Sequence, residues 1–492
     1  MGRQFIRIIQ KREGMKQRRW LFVSLSAAIL AMSSCSKEES RVTEAPPGAT
    51  VPLGEAGAPI STVAPEVVKP GVPGDFNGDG IGDVVVGAEG NDAGGIGAGA
   101  VYLFFGGDGL LAKRSASEAD VEIIDSSGGA GGGTALGKSI AMVRDFNGDG
   151  VSDFIVGASG HVEGSARTGG AFIFFGRRAS APPFPRQMNV SDADVKLIGG
   201  TFSGFGFLVA HAGDVNGDGL SDILAMSPGD NEGGDGAGAV FLFLGSRTPP
   251  SVINSSDTNM KIIGRPFGSL AFSGIAHAGD INGDGFSDLS VGSMTHPGSP
   301  SSPGAAFIIF GKRREELPLK INLGLNEADI KLTGEAANDR FGTSVASVGD
   351  FNGDGVSDVI VGAPSHQLPN FNIGAAYIFF GGPSLLNRTT AGGELNARDA
   401  NVKVEGDITT FGGTVYDSGD LNGDRLSDII IGTASATGGQ PSAISFFSGR
   451  PMLGTEKTII TAPETNARIR GNFAGSSSSS LSDIALEDFN GD

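Results

Sequence analysis

"DFNGDGVSDFIVGA" occupies Asp145–Ala158, and close copies of it return along the chain. Asp75 opens "DFNGDGIGDVVVGA", Asp214 "DVNGDGLSDILAMS", Asp280 "DINGDGFSDLSVGS", Asp350 "DFNGDGVSDVIVGA" and Asp420 "DLNGDRLSDIIIGT". A seventh copy, "DFNGD", ends at Asp492. Successive opening aspartates stand 70, 69, 66, 70, 70 and 68 residues apart. So regular a period marks a repeat architecture rather than a string of unrelated domains.

Each unit offers four candidate strands. The first runs into the aspartate, as in "FGTSVASVGD" (residues 341–350), and the second follows at once in "DVIVGA" (residues 358–363). A glycine-rich loop leads to the third, "GAAYIFFG" (residues 374–381), and the fourth is shorter, such as "DVKLIGG" (194–200) or "DIKLTGE" (329–335). Glycine makes up 81 of the 492 residues, and the aromatics are 31 Phe against one Trp and three Tyr, a composition of short strands and tight turns. Four strands per unit with no helical period predict an all-β fold, a β-propeller of four-stranded blades. A parallel β-helix would use shorter coils, and a sandwich would not repeat itself so faithfully.

The loop itself reads as a cation site. In the second copy, Asp145, Asn147 and Asp149 stand at positions 1, 3 and 5 and Asp153 at position 9. Gly150 sits at position 6, where the chain turns, and Val151 at position 7 can offer only its backbone carbonyl. Hard cations such as Ca2+ take six to eight oxygens from carboxylates, amides and carbonyls, and a donor set without His or Cys disfavours zinc and copper. Odd positions then point into the loop and even positions out of it. The same reading assigns Asp75, Asn77, Asp79, Ile81 and Asp83 in the first copy, and Asp214, Asn216, Asp218, Leu220 and Asp222 in the third. It assigns Asp280, Asn282, Asp284, Phe286 and Asp288 in the fourth, Asp350, Asn352, Asp354, Val356 and Asp358 in the fifth, and Asp420, Asn422, Asp424, Leu426 and Asp428 in the sixth. One Ca2+ is expected per complete repeat, with the sixth loop weakened because Arg425 replaces the glycine at position 6. An EF-hand would need a glutamate at position 12, where this chain has Val86, Val156, Ala225, Val291, Val361 or Ile431. A plain hairpin would account for Asn147-Gly148, but not for aspartates recurring at positions 5 and 9 in all six copies.

The order "FG", "DxNGDGxxD", "VGAP", "GAAYIFFG" resembles the FG-GAP repeat of the integrin α-subunit propeller and its bacterial relatives, over roughly residues 75–492. "FG" stands at Phe205-Gly206, Phe341-Gly342 and Phe411-Gly412, with Leu136-Gly137 as a variant. "GAP" is intact at Gly362-Ala363-Pro364 and drifts elsewhere. The resemblance implies a propeller with calcium in the loops between the first and second strands, ligands held on the opposite face, and seven blades. On that count the seventh blade is cut short at Asp492, inside the loop that Asp488 opens. Alternatively, residues 481–488 complete the first blade and close six, since "EVVKPGVPG" before Asp75 makes a poor inner strand with Pro70 and Pro73.

Ahead of the repeats, "MKQRRWLFVSLSAAILAMSSC" has a basic start, an apolar stretch from Trp20 to Met32 and small residues before Cys35, the sole cysteine. It resembles a bacterial lipoprotein signal, which implies lipidation of Cys35, export over residues 1–34 and, with Ser36 following, an outer-membrane destination. The thirteen-residue apolar stretch falls short of the roughly 20 residues that span a bilayer, so membrane attachment is expected through the lipid alone. Residues 35–70, rich in Pro, Ala, Thr and Glu, read as a flexible tether.

The net charge of −19 at pH 7 excludes electrostatic binding of a nucleic-acid backbone. The first 34 residues carry seven Lys/Arg and one acid, so the remainder is more acidic still. No cysteine nucleophile remains, no G-x-S-x-G or Walker pattern occurs, and the five histidines (161, 211, 277, 296, 366) are scattered. His211 and His277, each three residues before an opening aspartate, read as repeat equivalents rather than as a shared active site. No enzyme is expected. The expected partner is an extracellular protein or glycan, held by the variable loops between second and third strands in adhesion-like binding. A scaffold of a cell-envelope complex is the alternative, with a hydrolase or lectin on the same propeller behind it.

Overall fold

The computed structural model describes residues 74–471, apart from 108–109, 111–114, 129–132, 179, 266–271, 297–301, 369–370, 391–392, 408, 434–441, 453–456 and 462–466. The signal-like segment, Cys35, the tether, residues 481–488 and the last "DFNGD" lie outside the described residues, as does any closure of the ring.

Within this span the chain forms the expected blades in the expected order. The second blade runs Leu136–Val143, Asp153–Ala158, Gly170–Phe174 and Val195–Ile198, each antiparallel to its predecessor. The third repeats this with Val209–Gly213, Asp222–Ser227, Ala239–Phe243 and Met260–Ile263. Three more blades follow from the innermost strands Gly274–Gly279, Val345–Ser347 and Phe411–Asp417. The first blade shows its second to fourth strands, Val84–Ala88, Ala100–Phe104 and Val121–Ile124. Its Val84–Ala88 strand packs against Leu136–Val143, and each later innermost strand lies beside the next. The middle strands read as runs of apolar residues rather than alternations because both blade faces are covered. All of Gly170–Phe174, for example, is buried.

The cores lie between blades and are rich in phenylalanine. Phe205, Phe341 and Phe411 of the "FG" pairs have no exposed surface, and Phe205 meets Phe241 edge-on at 5.4 Å. The motif glycines have a steric reason. A Cβ on Gly157, in the "VGA" of the second blade, would overlap the carbonyl oxygen of Gly206, the "FG" glycine of the third. The same overlap recurs between Gly292 and Gly342 and between Gly362 and Gly412, so the two glycines of the motif set how closely neighbouring blades approach. At the boundary between third and fourth blades both are missing together: Met226 replaces the first, and "AFSG" (271–274) replaces the second.

One element went unread in the sequence. After its third strand, each chain segment crosses to the rim of the preceding blade and pairs parallel with that blade's fourth strand before returning. Gln187–Asn189 pairs with Val121–Ile124, Val252–Asn254 with Val195–Ile198, and Lys320–Asn322 with Met260–Ile263. Glu394–Asn396 and Thr458–Thr461 do the same for the next two blades. Each of the first four ends on an asparagine followed by a turn of 3-10 helix, which the Asn side chain caps in three of them, as Asn189 does by accepting from the Ser191 N–H at 3.1 Å. These strands of three or four residues cover the exposed edge of every blade they reach and tie it to its neighbour. The recurring "MN", "IN", "IN", "LN" ahead of the fourth strand was the available signal.

Candidate metal centre

In every blade the loop between the first and second strands folds around its opening aspartate. Asp145 Oδ1 accepts the N–H of Gly148 at 2.6 Å and of Asp149 at 3.0 Å, and Oδ2 that of Gly150 at 2.9 Å. Asn147 Oδ1 takes the Asp149 N–H and Asp149 Oδ1 the Val151 N–H, at 2.9 and 2.8 Å. The loops opened by Asp75, Asp214, Asp280 and Asp350 repeat these bonds within a few tenths of an ångström. Positions 1, 3 and 5 thus each accept amide N–H groups of their own loop.

Position 2 points out of the loop, yet not to solvent. Phe76, Phe146, Val215, Ile281 and Phe351 are buried in the cores between blades. Burial of such a side chain contributes about 2–3 kcal/mol and pins each loop to the hydrophobic core.

Position 9 does more than its sequence role suggested. Asp153 Oδ2 accepts the Phe146 N–H at 2.8 Å and its Oδ1 the Gly176 N–H at 2.9 Å, the latter just past the third strand. Asp83, Asp222, Asp288, Asp358 and Asp428 make the same pair of bonds. This carboxylate therefore cross-links the loop to the far end of its blade. Asp153, Asp222, Asp288 and Asp358 have no exposed surface. Burial, reinforced by the carboxylates at positions 5 and 1, pushes Asp83, Asp222 and Asp288 up to about 7 and Asp358 to about 8. Asp153 and Asp428 rise for the same reasons.

Adjacent loops are also coupled. The serine at position 8 reaches the opening aspartate of the preceding blade: Asp145 N–H donates to Ser221 Oγ at 3.2 Å and Asp214 N–H to Ser287 Oγ at 3.0 Å. The Ser221 and Ser287 N–H groups return to the Asp145 and Asp214 carbonyls at 2.8 and 3.0 Å.

The sixth loop keeps its turn at Arg425 and departs at Asn422. Arg425 holds φ +73°, against +84° for Gly150 at the same place, and its N–H still reaches Asp420 Oδ2 at 2.7 Å. Asn422, however, turns its Nδ2 to Asp428 Oδ1 at 3.2 Å, whereas Asn147 donates to Asp149. A left-handed conformation costs a non-glycine residue roughly 1 kcal/mol. Arg425→Gly is therefore expected to stabilise the sixth blade by about that amount, read as a higher denaturant midpoint at unchanged slope.

Among the described residues no three His, Cys, Asp or Glu side chains are gathered as a ready metal cluster. The loop carboxylates are turned instead to amide N–H groups. The chemistry of the set still suits a hard cation: every donor is oxygen, a carboxylate oxygen bonded to one N–H keeps a second lone-pair direction, and three like charges share each loop.

At the opposite end of the blades lie the loops between second and third strands and the connections to the next blade. Gly160 N–H bonds the Thr134 carbonyl at 2.9 Å, Gly229 that of Ser203 at 2.8 Å and Ser365 that of Asp339 at 3.2 Å. His161 sits here with Asp125 Oδ2 at 2.9 Å and Ser127 Oγ at 3.0 Å. Both partners meet the same ring nitrogen, Nδ1, while Nε2 faces Glu163 at 3.4 Å. Through Nδ1 the ring ties its loop to the segment that follows the Val121–Ile124 strand. Phe202, 79% exposed with φ +56°, and Ile96, 72% exposed, stand on the same end.

No helix among the described residues is long and apolar enough to cross a membrane. Residues 136–174, 205–243 and 341–379 match the FG-GAP repeat family. The chain is 31% identical over 242 residues to the phosphatidylinositol-glycan-specific phospholipase D of Bos taurus, covering 47% of this chain and 27% of that protein. It is 29% identical over 189 residues to integrin alpha-6 of Gallus gallus, covering 38% of this chain and 15% of that protein. With integrin alpha-PS3 of Drosophila melanogaster it shares 31% identity over 166 residues, 32% of this chain and 13% of that protein. The chain thus spans less than a third of the length of these relatives. Its repeats, its blades and these likenesses together make it an FG-GAP repeat protein built on a β-propeller of the integrin α-subunit type.

Proposed function

We propose that this chain is a calcium-stabilised binding propeller, tethered to the cell surface through a lipid on Cys35, that holds an extracellular protein or glycan. The observation that carries the calcium reading is the same oxygen set in six loops, each with a third carboxylate enclosed beside two others. Positions 1, 3, 5 and 9 would hold the ion by their side chains and position 7 by its carbonyl. The ion would neutralise charges that otherwise repel one another.

Binding is assigned to the end opposite the metal loops. Its loops differ in every blade, it presents Phe202 and Ile96 to solvent, and aromatic side chains on such a surface make strong anchors. The integrin relatives support a binding rather than a catalytic role. The phospholipase named among the relatives is matched over 27% of its length, and its activity is not carried to this chain.

The test is binding of the full chain in calcium to arrays of extracellular-matrix proteins and glycans. A binder should lose at least about tenfold in affinity with Phe202→Asp and lose binding altogether in chelator. Affinity unchanged by both, or arrays without a binder, would overturn the assignment.

A further inference from the structure

The structure brings together two histidines that the repeat merely placed in register. His211, on the innermost strand Val209–Gly213 of the third blade, and His277, on Gly274–Gly279 of the fourth, meet across the blade boundary with ring centres 5.4 Å apart and planes at 65°. Both rings are only partly buried, yet His211 Nε2 is shielded and has no hydrogen-bond partner. A buried polar atom without a partner is rare enough in a native protein to call for an explanation.

We propose that His211 and His277 form a second kind of metal site, at the innermost strands of the propeller, for a divalent transition ion of the zinc, copper or nickel group. Imidazole suits these ions, which the oxygen loops do not select. An ion bound through a metal–nitrogen bond of roughly 2.1 Å lies about 3.2 Å from the ring centre. Two rings with centres 5.4 Å apart then subtend about 110–115° at a shared ion, close to a tetrahedral angle. To share the ion, each ring would turn one nitrogen inward by rotation about its last torsion.

The Arg144 charge acts on both rings. Arg144 itself is exposed, and its charge favours an anionic ligand such as hydroxide or chloride at the positions the protein leaves open. The other innermost strands carry Met142, Ser347 and Asp417 at the matching register, so the pair is specific to this one boundary. That boundary is also where both motif glycines are absent.

The experiment is equilibrium dialysis of the full chain against Zn2+ in millimolar calcium, which keeps the oxygen loops occupied and the two kinds of site separate. The wild type should take up one Zn2+ that His211→Ala and His277→Ala each weaken by at least roughly tenfold, the loss that even an outer-shell partner causes. His296→Ala, at the other end of its blade, should leave it unchanged. With Cu2+ as probe, the electron paramagnetic resonance spectrum should show nitrogen coupling that either variant reduces. If alanine disturbs the fold, His211→Gln and His277→Gln test the same loss. Uptake equal in wild type and both variants, or no uptake by the wild type, would overturn the proposal.

Discussion

Withdrawal of calcium at neutral pH is expected to lower the melting temperature of this protein by more than about 10 °C, and stability should then fall as pH rises. Each occupied loop adds up to about 2.7 kcal/mol when calcium is a hundredfold above its dissociation constant. Five or six such loops are comparable with the 5–15 kcal/mol that holds a typical domain together. The pH response follows from the position-9 carboxylates. Without calcium, Asp222 and Asp288 have folded values of about 7 and Asp358 of about 8, against roughly 3.9 in the unfolded chain. Between those limits the folded state holds protons that the unfolded chain lacks, so stability falls as pH rises from about 4 to 8. With calcium bound these carboxylates are ionised in the folded chain as they are in the unfolded one above about pH 4, so stability stays nearly level over the same window. Melting temperatures with calcium and with chelator should therefore diverge as pH rises. Parallel slopes, or a melt indifferent to chelator, would show that the loops are turns without an ion.

Asp358→Ala should destabilise the protein by about 2–4 kcal/mol whether or not calcium is present, whereas Asp354→Ala should do so in calcium alone. The difference lies in what each carboxylate holds. Asp358 accepts the N–H of Phe351 at 3.0 Å and of Gly381 at 2.9 Å in a fully enclosed site. Alanine leaves two buried donors without partners, at about 1–3 kcal/mol each. Asp354 accepts its bonds from Val356 N–H and Asn352 Nδ2 near solvent, where water replaces them, so its loss is felt through the ion. Chemical denaturation of both variants with and without chelator separates the roles. Equal effects of the two substitutions in chelator would refute the division of labour.

The ladder of "DxNGDGxxD" copies was enough to read the blades, their order and the turn of each loop. Those features depend on local spacing: an aspartate at position 1 collects the amides at positions 4 to 6 of its own loop. The strands fell where apolar runs and glycines put them. Position 9 was legible as a recurring acid, but its second bond reaches Gly176 from Asp153, beyond any local pattern. The serine at position 8 was legible only as a letter in the repeat, because its partner belongs to the blade before. The parallel rim strands escaped for the same reason, each being only three or four residues long and paired with a strand from another repeat.

The sequence by itself determined that this chain is a repeat of four-stranded blades with an oxygen-rich loop in each, because a fixed period and a fixed donor spacing are properties of the chain alone. The tertiary structure alone decided how blades are tied together, which acids are enclosed and which histidines meet. Those follow from packing two distant stretches against each other, and contacts between them leave no spacing in the sequence to read.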